Sequence, residues 1–157
     1  MKPVRHVLII EDMFLFQQYL KDIVTLAGAS SIALASTQQE AIESARSRKP
    51  FLILSDINLS QGSGVSAIGA ILADHGTIPV IYITGHPQLC VSKHDVLLTK
   101  PVTADLLLKT VGGFFDGSAQ QLRALSDEDA LTLAEIYAAS SASSPYAVCS
   151  TRTASSV

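Results

Sequence analysis

The sequence predicts a doubly wound parallel α/β sheet of five strands, and three observations carry that expectation. Short, almost uninterrupted apolar runs recur along the chain, as strands buried on both faces of a parallel sheet require. Segments with apolar residues at helical spacing lie between them, so strand and helix alternate. Several of the apolar runs stop at a carboxylate, a hydroxyl or an ammonium, and in open α/β sheets such strand ends are where ligands bind.

The first run, His6 to Ile10, ends in the adjacent acids Glu11 and Asp12. Met13 to Ala27 follows as a helix, with Phe16, Tyr19 or Leu20, Ile23 and Ala27 on its inward face and Gly28 as its stop. Ser30 to Ala35 is a short second strand. Thr37 caps a helix from Gln38 to Arg48, and Glu40 three residues later completes a capping box. Ala41, Ile42 and Ala45 form the inward stripe of that helix.

The third run, Phe51 to Leu54, leads to Asp56. A polar loop, Ser60 to Gly64, precedes a helix from Val65 to about Asp74 that turns Ile68, Ile71 and Leu72 inward. Val80 to Ile83 is the fourth strand and ends at Thr84-Gly85. Periodicity is weak from His86 to Asp95, with room for at most a turn or two of helix between His86 and Lys93. Val96 to Leu98 is a brief fifth strand ending at Thr99-Lys100-Pro101, and a last helix runs from about Thr103 to Phe115.

Size and composition bound the function. The 157 residues suit one domain with an appendage. A net charge of −3 and a pI near 5.7 give no basic footprint for nucleic acid. No apolar stretch reaches the ~20 residues of a membrane helix, and Val7 to Ile10 is too short for a signal-peptide core. Cys90 and Cys149 make neither a disulfide framework nor a zinc pattern. A cytoplasmic protein is expected. Gly62-Ser63-Gly64 is not a phosphate loop, because no Gly-Lys-Ser/Thr follows.

Right-handed crossovers would bring the carboxyl ends of strands 1, 3, 4 and 5 to one edge of the sheet. Glu11, Asp12, Asp56, Thr84 and Lys100 would meet there. Three carboxylates held close cannot all stay ionised without raised pKa values or a cation. A hard divalent cation resolves the conflict, and Mg²⁺ prefers a few carboxylates plus water and phosphate oxygens. Glu11 and Asp12 would hold the ion, Asp56 would supply a further oxygen, and the backbone carbonyl of Asn58 is another candidate ligand. A carboxylate can also form a covalent acyl phosphate. Asp56 would be the phosphoryl acceptor, Lys100 and Mg²⁺ would neutralise the phosphoryl oxygens, and Thr84 would donate to one of them.

With these residues in order, each at a strand end, the chain resembles the receiver domain of two-component response regulators over roughly Arg5 to Phe115. The matching positions are Glu11-Asp12, Asp56, Thr84 and Lys100-Pro101. The resemblance implies a flavodoxin-like, CheY-like fold and a phosphoryl group taken from a histidine kinase or histidine phosphotransfer protein. It also implies a change of surface through the threonine, a downstream protein partner, and a cis peptide between Lys100 and Pro101. Pro79-Val80-Ile81-Tyr82-Ile83-Thr84-Gly85 is similar to the Pro-Phe-x-Phe-Ala-Thr-Gly pattern of an alphaproteobacterial receiver subfamily. Together with Gly113-Phe114-Phe115, it also resembles the receiver of the anti-anti-sigma regulators of the general stress response.

Departures from the family are specific. Leu97 stands where an aromatic partner of the threonine is common, Ser60 stands where proline is common, and the span from Thr84 to Lys100 is short, leaving the fourth helix short or missing. By resemblance, His86 with Asn58 can tune hydrolysis of the phosphoryl group; otherwise His86 is an exposed loop histidine. Phe14 lies where the family docks its phosphotransfer partner, whereas Tyr19 is expected to pack in the core. His6, His75 and His94 are isolated, and Cys90 reads as an inert thiol.

The receiver is expected over 1–116, with an extension over 117–157. Ser126 to Asp129 looks like a helix start, giving one helix over about 127–140 before a disordered Ser/Ala-rich end. The extension has no room for a conventional output domain, and a docked helix or a homodimer contact are both open. Two rivals stand beside a single-domain response regulator. One is a pseudo-receiver scaffold that never carries phosphate. The other is a haloacid-dehalogenase-type phosphatase, which wants a second carboxylate two residues after the nucleophile, where this chain has Asn58.

Overall fold

The structure is a computed structural model that describes residues 3–86 and 95–119. The expected turn of helix before Lys93, Cys90, His94, the expected helix over 127–140, the Ser/Ala-rich end and Cys149 lie outside the described residues. Strand and helix alternate from the first element: β1 His6–Ile10, α1 Phe14–Leu26, β2 Ser31–Ala35, α2 Gln38–Ser47, β3 Leu52–Ser55, α3 Gly64–His75 and β4 Val80–Thr84. After the undescribed segment come β5 Val96–Thr99 and α4 Ala104–Asp116.

All five strands are parallel and lie in the order β2-β1-β3-β4-β5. Alternation along each strand sends side chains to opposite faces. Val7 and Ile9 join Leu52, Leu54, Ile81, Ile83 and Leu98 in one core, against Leu20, Ile23 and Val24 of α1 and Leu107, Val111 and Phe114 of α4. Leu8, Ile10, Ile53, Val80 and Tyr82 face the other way, against Ala41 and Ala45 of α2 and Ala67, Ile68 and Ile71 of α3. Burial on both faces is why β1, β3 and β4 read as continuous apolar runs. The outer strand β2 is only partly covered, and Ser30, expected as its first residue, instead donates its N–H to the Arg5 carbonyl at 3.0 Å.

Helix boundaries follow local chemistry. Thr37 accepts from the Glu40 N–H, as expected of a capping box. The return bond goes one residue further back than the motif prescribes, with Glu40 Oε2 accepting from the Ser36 N–H at 2.7 Å. Ser63 and Thr103 cap α3 and α4 in the same way, so α3 begins at Gly64, one residue earlier than its apolar spacing suggested. In α1 the inward face holds Gln17, Leu20, Ile23 and Val24, while Phe16 and Tyr19 sit at its margin. Leu72 and Ile42 are likewise partly buried and pack against the core edge. The far end of α4 is tied to the start of β1: Arg5 donates to the Phe115 carbonyl at 3.1 Å and stacks over its ring.

Candidate functional site

Backbone pairing places the site before any side chain does. Just past β1, the Glu11 N–H donates to the Ala35 carbonyl that ends β2, at 2.9 Å. Just past β3, the Asp56 N–H donates to the Ile10 carbonyl that ends β1, at 2.9 Å. Just past β5, the Lys100 N–H donates to the Thr84 carbonyl that ends β4, at 2.8 Å. Glu11, Asp56 and Lys100 are thus each the first residue beyond their strand, held by the strand beside it. The Lys100-Pro101 peptide is cis.

Glu11, Asp12 and Asp56 come together there, each offering a carboxylate oxygen within 4.8 Å of the others. Lys100 faces them: its Nζ lies 3.0 Å from Glu11 Oε2 and 2.9 Å from Asp56 Oδ2. Glu11 has no solvent exposure, and its second oxygen accepts from the Met13 N–H at 2.9 Å. Burial raises the Glu11 pKa above the ordinary carboxylate value, against the pull of the Met13 amide and the Lys100 ammonium. Burial alone would lower Lys100, but hydrogen bonds and charge from Asp56 and Glu11 prevail and raise it, so it stays an ammonium. Burial also pushes Asp12 upward. The Ser60 amide and hydroxyl outweigh it and hold Asp12 below its ordinary value.

Asp56 is 9% exposed, largely buried but not sealed from solvent. Its Oδ1 accepts from the Asn58 N–H at 3.2 Å. The exposed Asn58 therefore lies at the mouth of the site and presents its amide to the Asp56 carboxylate. Thr84 is fully buried at the end of β4, and its Oγ1 accepts from the His86 N–H at 3.1 Å. No hydrogen bond joins Thr84 to the three carboxylates. Leu97, at 4% exposure, pairs in register with Tyr82 of β4. Burial, with the nearby Asp95 charge, holds that phenol well above its ordinary pKa.

Several residues that shape the site carry no motif. Gln17 is buried beneath Glu11, and its amide donates to the Glu11 carbonyl at 3.0 Å, within 3.4 Å of the Ala35 carbonyl and Ser36 Oγ. Phe16 lies against Lys100, with the ammonium 4.4 Å from its ring centroid. At Gly64 a Cβ would collide with the Asp56 carbonyl oxygen and Ser55 Oγ, so only glycine lets α3 begin this close to the Asp56 backbone. The Gly64 N–H donates to the Ile57 carbonyl at 2.9 Å and closes the loop.

The arrangement has defined chemical capacity. Three hard oxygen donors from short side chains, within reach of one another, suit a small divalent cation. One ammonium shared between two of them supplies fixed positive charge across the same space.

The response regulator receiver domain family matches residues 7–112 of the chain. The phyllosphere-induced regulator PhyR of Methylorubrum extorquens is 40% identical over 84 residues, covering 52% of this chain and 31% of that protein. The anti-anti-sigma factor PhyR from Bartonella quintana is a structural neighbour at 33% identity and TM-score 0.62, covering 74% of this chain and 51% of that one. The receiver domain of Erythrobacter litoralis PhyR aligns at 35% identity and TM-score 0.63, covering 71% and 89% respectively. The chain spans about a third of the length of the Methylorubrum regulator and about half of the Bartonella one. With the family matched over well more than half of its length and the five-stranded parallel sheet in place, the chain belongs to the response regulator receiver domain family.

Proposed function

We propose that the chain is the phosphoryl-accepting receiver of a two-component phosphorelay, with Asp56 as the acceptor. The observation that carries the reading is the placement of Lys100 Nζ between Glu11 Oε2 and Asp56 Oδ2, with the Asp12 carboxylate alongside. A carboxylate oxygen of Asp56 attacks the phosphorus of a phosphohistidine on a kinase or phosphotransfer protein. The P–N bond breaks, its electron pair leaves on the imidazole nitrogen, and an acyl phosphate forms on Asp56.

Glu11, Asp12, Asp56 and the Asn58 carbonyl would hold Mg²⁺, which when bound supplies positive charge for the phosphoryl oxygens. Lys100 neutralises further charge from the opposite side. Thr84 Oγ1 accepts from His86 but keeps its own hydrogen to donate to a phosphoryl oxygen. The phosphoryl group adds roughly two negative charges at Asp56, and these bias the surrounding surface between two arrangements.

Receiver domains are signalling modules, so the chain's output is a contact with a downstream protein or the draining of phosphate from its donor. The Bartonella relative is described as an anti-anti-sigma factor, which favours protein contact as the output. Within this reading, 1–116 is the receiver and 117–157 an extension. Incubation with Mg²⁺ and acetyl phosphate, followed by intact mass, tests it. One phosphoryl unit is expected, base-labile and abolished in Asp56→Asn. A protein that stays unlabelled is a pseudo-receiver scaffold, one that consumes the donor without accumulating an adduct is a phosphatase, and equal labelling of Asp56→Asn refutes the assigned acceptor.

A further inference from the structure

We propose that Phe16 is a positioning residue for Lys100, its ring occupying the one N–H direction that Glu11 and Asp56 leave open. A lysine ammonium has three donors and no acceptor. Two are accounted for by Glu11 Oε2 at 3.0 Å and Asp56 Oδ2 at 2.9 Å. The ammonium also lies over the face of Phe16, whose centroid is 4.4 Å from Nζ, well inside the ~6 Å reach of a cation–π contact. The Lys100 side chain is 21% exposed. Without the ring, its long stem would be free to turn that third donor outward to water.

The ring is itself held. Phe16 and Tyr19 lie three residues apart on α1, hence on one face, and their rings stack at 5.7 Å with 30° between planes. The Tyr19 hydroxyl donates to the Val102 carbonyl at 3.3 Å, two residues past Lys100. Next to Phe16, the buried Gln17 amide donates to the Glu11 carbonyl. One turn of α1 thus grips both the loop that bears Glu11 and the turn that bears Lys100. A carboxylate pair alone would let the ammonium follow whichever oxygen moved. The ring gives it a third, uncharged support that stays when a phosphoryl group draws charge toward Asp56.

The inference rests on the reading of Lys100 as the group that neutralises the incoming phosphoryl oxygens. Two measurements on the full chain test it. Ring current from Phe16 shifts the Lys100 ε-methylene protons upfield in NMR spectra of the wild type. The shift is lost in Phe16→Leu and kept in Phe16→Tyr and Phe16→Trp. The labelling rate with acetyl phosphate at saturating Mg²⁺ falls about fivefold in Phe16→Leu and is rescued by Phe16→Tyr and Phe16→Trp. It falls stepwise as fluorines are added to a phenylalanine at position 16, which weakens the π face at nearly constant volume.

A purely packing role would give a flat fluorine series, and that result overturns the inference, as does a wild type without the upfield shift. Failure of the underlying phosphorelay reading looks different. In that case the wild type takes no phosphoryl unit or Asp56→Asn labels equally, and the claim that Phe16 serves phosphoryl transfer falls with it. The fluorinated and Tyr variants keep the test decisive even where Phe16→Leu fails to fold.

Discussion

The Ser60 amide donates to Asp12 Oδ2 at 2.7 Å, linking the loop after β3 to the acid after β1 across 48 residues of chain. Where proline stands at this position in related receivers, no N–H is available to do this. The bond favours the ionised carboxylate, so Asp12 titrates below its ordinary value. A depressed acid contributes stability above its unfolded pKa of about 3.9 and loses it as pH falls through the folded value. Ser60→Pro removes the donor. The Asp12 carboxyl resonance, followed by NMR titration, is expected to move to higher pH in Ser60→Pro. The variant's urea midpoint should also depend less steeply on pH below about 4.

His6 gives the same sign in a higher pH window. It is 6% exposed at the start of β1, and its Nδ1 lies 2.8 Å from Ser31 Oγ. Burial, helped by the Arg48 charge, lowers its pKa, outweighing the hydrogen bond that the ring donates to the Ser31 backbone. The unfolded chain therefore binds the proton more readily than the folded one just below about pH 6.5, and stability rises with pH through that window. Denaturation midpoints should fall as pH drops from about 7 to about 5.5, and His6→Gln should flatten that slope.

Three carboxylates beside one ammonium give the cluster surplus negative charge. Mg²⁺ at ten times its Kd is expected to add about 1.4 kcal/mol of stability through linkage. A thermal melt with and without the ion reads this directly. Asp12→Ala and Asp56→Asn should melt at nearly the same temperature in both conditions. An unchanged ion effect in either would place the cation elsewhere.

Gly64 is the position where a single methyl group is least tolerable. Its Cβ would meet the Asp56 carbonyl, a backbone atom that has no rotamer with which to yield. Gly64→Ala should lower stability by about 1–3 kcal/mol and slow labelling of Asp56 more than Val65→Ala next to it, since Val65 is exposed. Urea midpoints and acetyl phosphate labelling rates check both halves.

Much of this was written in the chain. An apolar run that breaks at a charge, as Ile9-Ile10-Glu11-Asp12 and Leu54-Ser55-Asp56 do, marks a strand and its carboxyl end together. The Thr37 and Thr103 caps were legible or nearly so, because a side-chain oxygen before a helix has one common use. What escaped was set by groups that sequence patterns do not weigh. Gln17 is polar and belongs to no apolar pattern, yet three acceptors at the ends of β1 and β2 hold it inside. Phe16 looked like core because aromatic residues usually are, and its neighbour proved to be an ammonium. The Ser60 bond to Asp12 comes from the main chain, which leaves no mark in residue identity.

The three amide ties that fix Glu11, Asp56 and Lys100 run from main chain to main chain, each reaching the last carbonyl of a neighbouring strand. Their placement is thus independent of which apolar residues fill the interior. Exchanging Val, Ile and Leu within the sheet, or changing the outer helical faces, would therefore leave the main-chain anchors of these three residues in place.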